Sequence, residues 1–204
     1  MTTKRSRYYV VWKGRRPGVY TTWEACKAQV DGYPDARYKA FPTREMAERA
    51  YRLGPEAARL PTWVLAEPGP QTPALAVDAA ASQARGRVEL QGVLLLPEGK
   101  VRPLFRETLT HATVPIGEYL AIVRALQWLY QWGKFLPVYT DSSTAWHWLQ
   151  KGGPSPKTLR RLSPTTRRLV EEARSWLQAH PGPWDVRLWD TAHWGENPAD
   201  FGNK

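Results

Sequence analysis

Cysteine is nearly absent from this chain. Cys26 stands alone among 204 residues, which excludes an internal disulfide and a zinc ribbon built on cysteine pairs. No run of about 18 apolar residues occurs, so no transmembrane helix and no membrane partner are expected. The opening stretch Met1–Tyr8 carries basic residues but no apolar core, and it reads as no secretory signal. Acids are scarce as well. Only 19 Asp+Glu stand against 29 Lys+Arg, a formal charge of +10, which points to a polyanionic partner. These shortages together lead us to expect a cytoplasmic monomer.

What is present suits a folded protein. Hydrophobic residues make up 42% and charged residues 24%, proportions of a globular chain and not of a disordered one. Tryptophan is abundant, with 11 copies. Charge is uneven: residues 1–54 hold 12 Lys/Arg and 5 Asp/Glu, a net +7. Residues 55–72 contain Pro55, Pro61, Pro68 and Pro70 with little periodicity, and read as a semi-rigid, partly extended linker. Residues 73–204 form the remaining unit.

In residues 1–54 the run Tyr8–Trp12 is rich in aromatic and β-branched residues and predicts a strand. Val19–Thr21 predicts its return. Thr21 and Glu24 have capping-box spacing and open a short helix. A strand over 36–41 and a helix capped by Thr43 complete a ββαβα order, with one sheet face expected to stay open. In residues 73–204 strands are predicted over 74–78, 87–96, 100–109, 136–141 and 184–190. A long, nearly all-round apolar helix covers 115–132, another helix starts at Ser143, and Ser163-Pro164 opens a third. The order implies a mixed α/β sheet of five strands with flanking helices. Trp128, Trp132, Trp176 and Trp189 read as core, and Cys26 as a small buried apolar residue.

Four acids sit in apolar surroundings. Asp78 and Asp141 each close an apolar strand, Glu118 is the one acid of the long helix, and Asp200 follows Asn197-Pro-Ala. A buried carboxylate without a partner costs several kcal/mol, and no Lys or Arg lies close in sequence to Asp78 or Asp141. A hard divalent cation with oxygen ligands answers this, and zinc does not. The plainer alternative is that these are surface and capping acids, with Asp141 capping the helix that follows.

The motifs Val77-Asp78, Ile116-Gly-Glu118-Tyr, Tyr139-Thr-Asp141-Ser142 and Asn197-Pro-Ala-Asp200, spaced 40, 23 and 59 residues apart, resemble the type 1 ribonuclease H catalytic domain. The tail Trp194–Gly202 is similar to that of its bacterial branch. Residues 8–41, with Gly18-Val-Tyr, Trp23, Cys26, Gln29-Val30 and Ala36-Arg-Tyr-Lys, resemble the hybrid-binding domain that precedes many such enzymes. The resemblance implies a ribonuclease H-like fold and an endonuclease that cuts the RNA strand of an RNA/DNA hybrid. It implies two Mg²⁺ per site, with Mn²⁺ as a substitute, and products with 5′-phosphate and 3′-hydroxyl ends. Asp78 would bridge both metals, Asp200 serve the nucleophile side, and Glu118 and Asp141 the leaving-group side. His193 matches a mobile histidine that assists proton transfer or product release. A solvated surface histidine is the alternative.

Thr113 matches a threonine that holds a DNA-strand phosphate, and Trp23, Arg37, Tyr38 and Lys39 match nucleic-acid contacts of the hybrid-binding domain. For Trp23 and Tyr38 the alternative is the core of a small module. Two stretches depart from the family: Val114-Pro115 replaces polar contact residues, and Ala79–Gly86 replaces a commoner turn sequence. Residues 151–170 hold six Lys/Arg and no acid, after Trp146 and Trp148. They read as a substrate grip or as a solvated face. Double-stranded RNA is a second ligand of the same chemistry. A non-catalytic binding protein of the same ancestry and a transposase-like or resolvase-like nuclease are the competing functions.

Overall fold

The computed structural model describes residues 7–82 and 86–201. Among these residues no helix is long and apolar enough to cross a membrane. The chain divides into two compact units. The first runs up to Pro70 and also takes in Asp190–Gly195; the second comprises Gln71–Trp189 and the residues from Glu196 onward.

The first unit holds strands β1 (Tyr8–Lys13), β2 (Gly18–Tyr20) and β3 (Arg37–Phe41) in the antiparallel order β2-β1-β3. Its helices are α1 (Trp23–Val30) and α2 (Arg44–Leu53), so the ββαβα order holds. The expectation of one open sheet face does not. Side chains of β1 alternate, as a strand's must. Val10 and Trp12 pack with Met46, Ala47 and Ala50 of α2, while Val11 packs with Cys26 and Val30 of α1. Both faces are therefore covered. Thr22, one residue later than expected, caps α1 by accepting from the Ala25 amide at 3.2 Å. Thr43 caps α2 by accepting from Met46 N at 3.3 Å.

The proline-rich segment is also different from its sequence reading. Pro55–Arg59 forms a 3₁₀ turn and Thr62–Leu65 the short helix α3. Ala57, Leu65 and Ala66 are buried in the core of the first unit. Scattered prolines hid these apolar residues, which follow no strand or helix period but have a core to enter.

The second unit has strands β4 (Ala74–Ala81), β5 (Arg87–Leu95), β6 (Val101–Thr110), β7 (Val138–Thr140) and β8 (Val186–Leu188). Their order is β6-β5-β4-β7-β8. β4 pairs antiparallel with β5 and parallel with β7, and β7 pairs parallel with β8. This is the expected mixed five-stranded sheet. β8 is shorter than its sequence reading, because the chain turns at Asp190 into the short helix α8 (Thr191–Trp194). Helix α4 (Val114–Gln131) starts with Pro115 in its first turn. It ends where Gly133, at φ +56°, allows a left-handed residue. Gly133 N then donates to Tyr130 O at 3.1 Å and Lys134 N to Leu129 O at 2.9 Å, the paired bonds of a Schellman stop. Helices α5 (Ser143–Gln150), α6 (Pro156–Leu159) and α7 (Pro164–Ala179) follow. Ser163 caps α7 as expected. Trp189 is buried at 4% exposure, but Trp132 is 60% exposed and not core.

The core of the second unit joins α4 to the sheet through Leu75, Val77, Leu90, Ile116, Leu120 and Val123. Close approach of α4 depends on Gly117. A Cβ there would lie 2.6 Å from Val88 Cγ1 and 2.9 Å from Ala79 Cβ. Gly117→Ala is therefore expected to destabilise the protein by about 1–2 kcal/mol, overpacking outweighing the gain in helix propensity. A urea melt checks this, and an unchanged or raised midpoint would show that α4 can move away freely.

Candidate functional site

Asp78 lies on the central strand β4, opposite Gln91 of β5. On its other side Val77 pairs with Thr140 of the parallel strand β7. The residues after this pair, Asp78 and Asp141, thus come to the same end of adjacent strands. Helix α4 adds Glu118, one residue after Gly117. Carboxylate oxygens of Asp78, Glu118 and Asp141 all lie within 4.8 Å of one another. Asp200 is outside that trio, yet its charge still acts on Asp78.

Polar side chains hold this arrangement. Ser142 Oγ donates to Glu118 Oε2 at 2.5 Å and accepts from Ala145 N at 3.2 Å. Ser142 and not Asp141 therefore caps α5, which removes the capping account of Asp141, although Asp141 itself is exposed just past the end of β7. Asn197, 4% exposed, donates to Val77 O at 2.9 Å and accepts from Ala199 N at 3.0 Å. Its Nδ2 is also 3.5 Å from Asp141 Oδ1. Gln91 Nε2 donates to Ala199 O at 2.5 Å, and the Arg106 guanidinium lies over the Phe201 ring at 5.0 Å. Two amides thus tie the turn that bears Asp200 to β4 and β5. Sequence reading missed Ser142, Gln91 and Gly117 as supports, and took Asn197 only as part of a motif. Ser142 had a readable signal, since a serine before a helix is a capping candidate.

The electrostatics are unfavourable as they stand. Asp78 is only 8% exposed. Burial first, then the charge of Asp141, push its carboxyl up to about 7, against an opposing hydrogen bond from the Ala79 backbone; Asp200 and Glu118 add to the rise. Burial also raises Glu118, opposed by the Ser142 hydrogen bond. Among the described residues no Lys, Arg or His forms an ion pair with Asp78, Glu118 or Asp141. Clustered carboxylate oxygens of this kind fit a hard divalent cation and not zinc.

The predicted substrate contacts divide into several places. Trp23 and Tyr38 are 39% and 45% exposed, so they are not the core of the small module. Their ring centroids are 5.8 Å apart, and Tyr9, which sequence reading missed, lies 5.6 Å from Trp23. Arg37 is exposed and 3.6 Å from Glu56. Lys39 is engaged internally: its ammonium donates to Ala58 O at 3.0 Å and Leu60 O at 2.7 Å, and burial lowers its pKa. Thr113 is exposed at the start of α4 and makes no side-chain capping bond. Trp146 donates through Nε1 to Val186 O at 2.9 Å. Trp148 meets Tyr119 edge-on at 6.4 Å and lines a cavity with Lys151 and Arg174. Of the basic stretch, Arg167 donates to Leu159 O and Arg160 O, and Arg168 pairs with Glu172 at 2.7 Å. Lys151, Lys157, Arg160 and Arg161 are exposed. His193 is exposed, and its Nδ1 lies 2.7 Å from Asp190 Oδ2. The turn within Ala79–Gly86 falls at residues 83–85, outside the described residues, as do the final residues 202–204 of the tail.

Residues 7–51 match the family described as the Ribonuclease H1 N-terminal domain. Ribonuclease H of Saccharomyces cerevisiae is 49% identical over 45 residues, 22% of this chain and 13% of the yeast protein. Ribonuclease H1 of Homo sapiens is 50% identical over 40 residues, 20% of this chain and 14% of the human protein. The aligned part of the chain thus spans about one seventh of these relatives. Among solved structures, RNase H1 from Halobacterium salinarum is 22% identical, with a TM-score of 0.41 over 56% of this chain and 83% of its own. LC11-RNase H1 in complex with RNA/DNA hybrid is 16% identical, with a TM-score of 0.40 over 56% and 83%. The chain resembles ribonuclease H1 proteins that carry this N-terminal domain.

The raised Asp78 has a measurable consequence. Its unfolded value is near 3.8 and its folded value about 7, so the unfolded chain loses the proton first as pH rises. Stability present below pH about 4 is then lost as pH climbs through about 7, by at most about 4 kcal/mol. In EDTA at pH 8, Asp78→Asn is expected to stabilise the protein by about 1–3 kcal/mol in urea melts, a gain that disappears at pH 4. A variant no more stable than wild type at pH 8 would remove the case for a strained carboxylate.

Proposed function

We propose that this chain is an endonuclease that hydrolyses the RNA strand of RNA/DNA hybrids at the carboxylate cluster of Asp78, Glu118, Asp141 and Asp200. The observation that carries the reading is the trio of mutually repelling carboxylates at the end of two parallel strands, in a chain whose residues 7–51 match the Ribonuclease H1 N-terminal domain. The oxygens of Asp78, Glu118, Asp141 and Asp200 would hold two divalent ions, Mg²⁺ or Mn²⁺, whose Lewis acidity would assist attack by water and departure of the 3′ oxygen, giving 5′-phosphate and 3′-hydroxyl ends.

The chain's own residues do the rest. Ser142 fixes the rotamer of Glu118, which the family resemblance would place near the 2′-hydroxyl that distinguishes RNA from DNA. Asn197 and Gln91 hold the Asp200 turn. Asp190 orients His193 through Nδ1, which in the neutral ring leaves Nε2 as the basic nitrogen able to move a proton. Trp23 and Tyr38 are exposed on the first unit beside the half-buried Tyr9, an aromatic group suited to stacking against bases or sugars. Arg37, Thr113 and the exposed cations Lys151, Lys157, Arg160 and Arg161 suit phosphates. Residues 73–204 are the segment we assign to catalysis. A cytoplasmic monomer that also holds double-stranded RNA fits the same basic surface.

Two experiments test this. Asp78→Asn and Asp141→Asn should each abolish cleavage of a labelled uniform hybrid in Mg²⁺ while retaining hybrid binding, as should EDTA with wild type. Near wild-type cutting by either variant would remove the cluster from catalysis. Binding without any cutting by wild type, in Mg²⁺ and Mn²⁺ alike, would leave the non-catalytic hybrid-binding reading. Separately, Trp23→Ala should weaken hybrid binding about tenfold, since stacking on an aromatic is worth about 1–3 kcal/mol. Affinity should also fall steeply with added salt. Unchanged affinity would show that the aromatic group on the first unit is not a contact.

A further inference from the structure

Strands β4, β5 and β6 lie side by side in the second unit, and their register sets Asp78 opposite Gln91 and Gln91 opposite Arg106. Directly opposed residues of antiparallel strands share one face of the sheet. Asp78, Gln91 and Arg106 thus form a row across three strands that starts at the acid cluster. The segment bearing Asp200 runs along this row. Asp200 N donates to Asn197 O at 2.8 Å, and Ala199 N, in a fully buried residue, donates to Asn197 Oδ1 at 3.0 Å. Gln91 holds the residue before Asp200, donating from Nε2 to Ala199 O at 2.5 Å. Arg106 meets the residue after it, with its guanidinium 5.0 Å from the centroid of the Phe201 ring. Glu89 stands two residues before Gln91 on β5 and pairs with the same guanidinium. That hydrogen bond holds the Glu89 carboxyl below the usual carboxylate range. Arg106 is thereby tethered to the sheet, and its charge is answered by Glu89 and not by the cluster. The charges that raise Asp78 are those of Asp141, Asp200 and Glu118.

We infer that Arg106 is a positioning residue for Asp200: with Gln91 it brackets the acid, so that affinity of the cluster for a divalent ion depends on the contact of Arg106 with Phe201. The inference rests on the reading of the cluster as a cation site. Strand register fixes Asp78 and brings Asp141 beside it, and helix α4 carries Glu118. Asp200 lies in no strand or helix and stands outside the trio of close oxygens. Side chains from the sheet must therefore set its place, and Gln91 and Arg106 do so from the two sides. An arginine suits the outer position because its charge is taken up by Glu89 and the ring face, which leaves the acids negative for a cation.

The test uses the full chain as wild type, Arg106→Ala, Arg106→Lys, Phe201→Ala and the pair Arg106→Ala with Phe201→Ala. Mn²⁺ is titrated into each by calorimetry without nucleic acid, and cleavage of a uniform RNA/DNA hybrid is followed against Mg²⁺ concentration. Arg106→Ala and Phe201→Ala should each weaken Mn²⁺ binding and raise the half-saturating Mg²⁺ by about two- to fivefold, the worth of a partly exposed cation–π contact. The pair should be no worse than either single variant, because both remove one contact. Arg106→Lys keeps a cation for Glu89 and the ring, and should recover most of the metal affinity. Amide exchange at Ala199, Asp200 and Phe201 should quicken in Arg106→Ala while that of α4 stays as it is. The Arg106 variants change an exposed side chain and serve alone if Phe201→Ala does not fold. Weaker hybrid binding with unchanged metal dependence would make Arg106 a phosphate contact and overturn the positioning role. Effects that multiply in the pair, or unchanged exchange at Ala199–Phe201, would overturn it too. A wild-type chain that cuts no hybrid would instead sink the proposed activity, while calorimetry and exchange still decide the role of Arg106.

Discussion

Everything at the site turns on the repulsion among carboxylates gathered at one end of the sheet. Asp78 is almost wholly buried, and its neighbours are acids, so its charge is unfavourable in the folded chain. A fold tolerates such a cost only where the surrounding structure over-determines it. Here it does: β4 is flanked on both sides by paired strands, α4 is drawn in by a core of aliphatic residues, and Gly117 lets the helix come close. The folding energy of the second unit holds in place a cluster that would otherwise separate or take up protons.

The supports around the cluster share one chemistry. Ser142, Asn197 and Gln91 are neutral hydrogen-bonding side chains, and each bonds to the backbone or to one carboxylate oxygen. A lysine or arginine in any of these places would neutralise the acids and occupy the place of a cation ligand. Neutral donors fix geometry and leave the negative charge in place, which is what a site awaiting a divalent ion requires.

The first unit solves a different problem. It is too small to bury much surface with one helix layer, so it covers both faces of a three-stranded sheet and recruits the proline-rich stretch to extend its core. This leaves Trp23 and Tyr38 exposed, next to half-buried Tyr9 and with Arg37 exposed on the same strand as Tyr38, a surface suited to polyanion binding. Lys39 shows the cost of that economy: a cation expected at the binding surface instead satisfies two carbonyls of the recruited stretch.

The local sequence determined the strand and helix order of both units, the caps at Thr43 and Ser163 and the four acids. Period, composition and capping chemistry act over a few residues and can be read there. Pairing at a distance was not legible. That Val77 stands opposite Thr140, and so brings Asp78 to Asp141, depends on the parallel register of strands some sixty residues apart. The burial of Ala57, Leu65 and Ala66 depends on a core built by other segments, and prolines masked it. The placing of Asp190–Gly195 with the first unit depends on Thr62, Pro68 and Gly195 meeting across about 130 residues of chain. Such contacts are decided by which surfaces close on each other within a unit once the rest of that unit exists, and no window of sequence contains both partners.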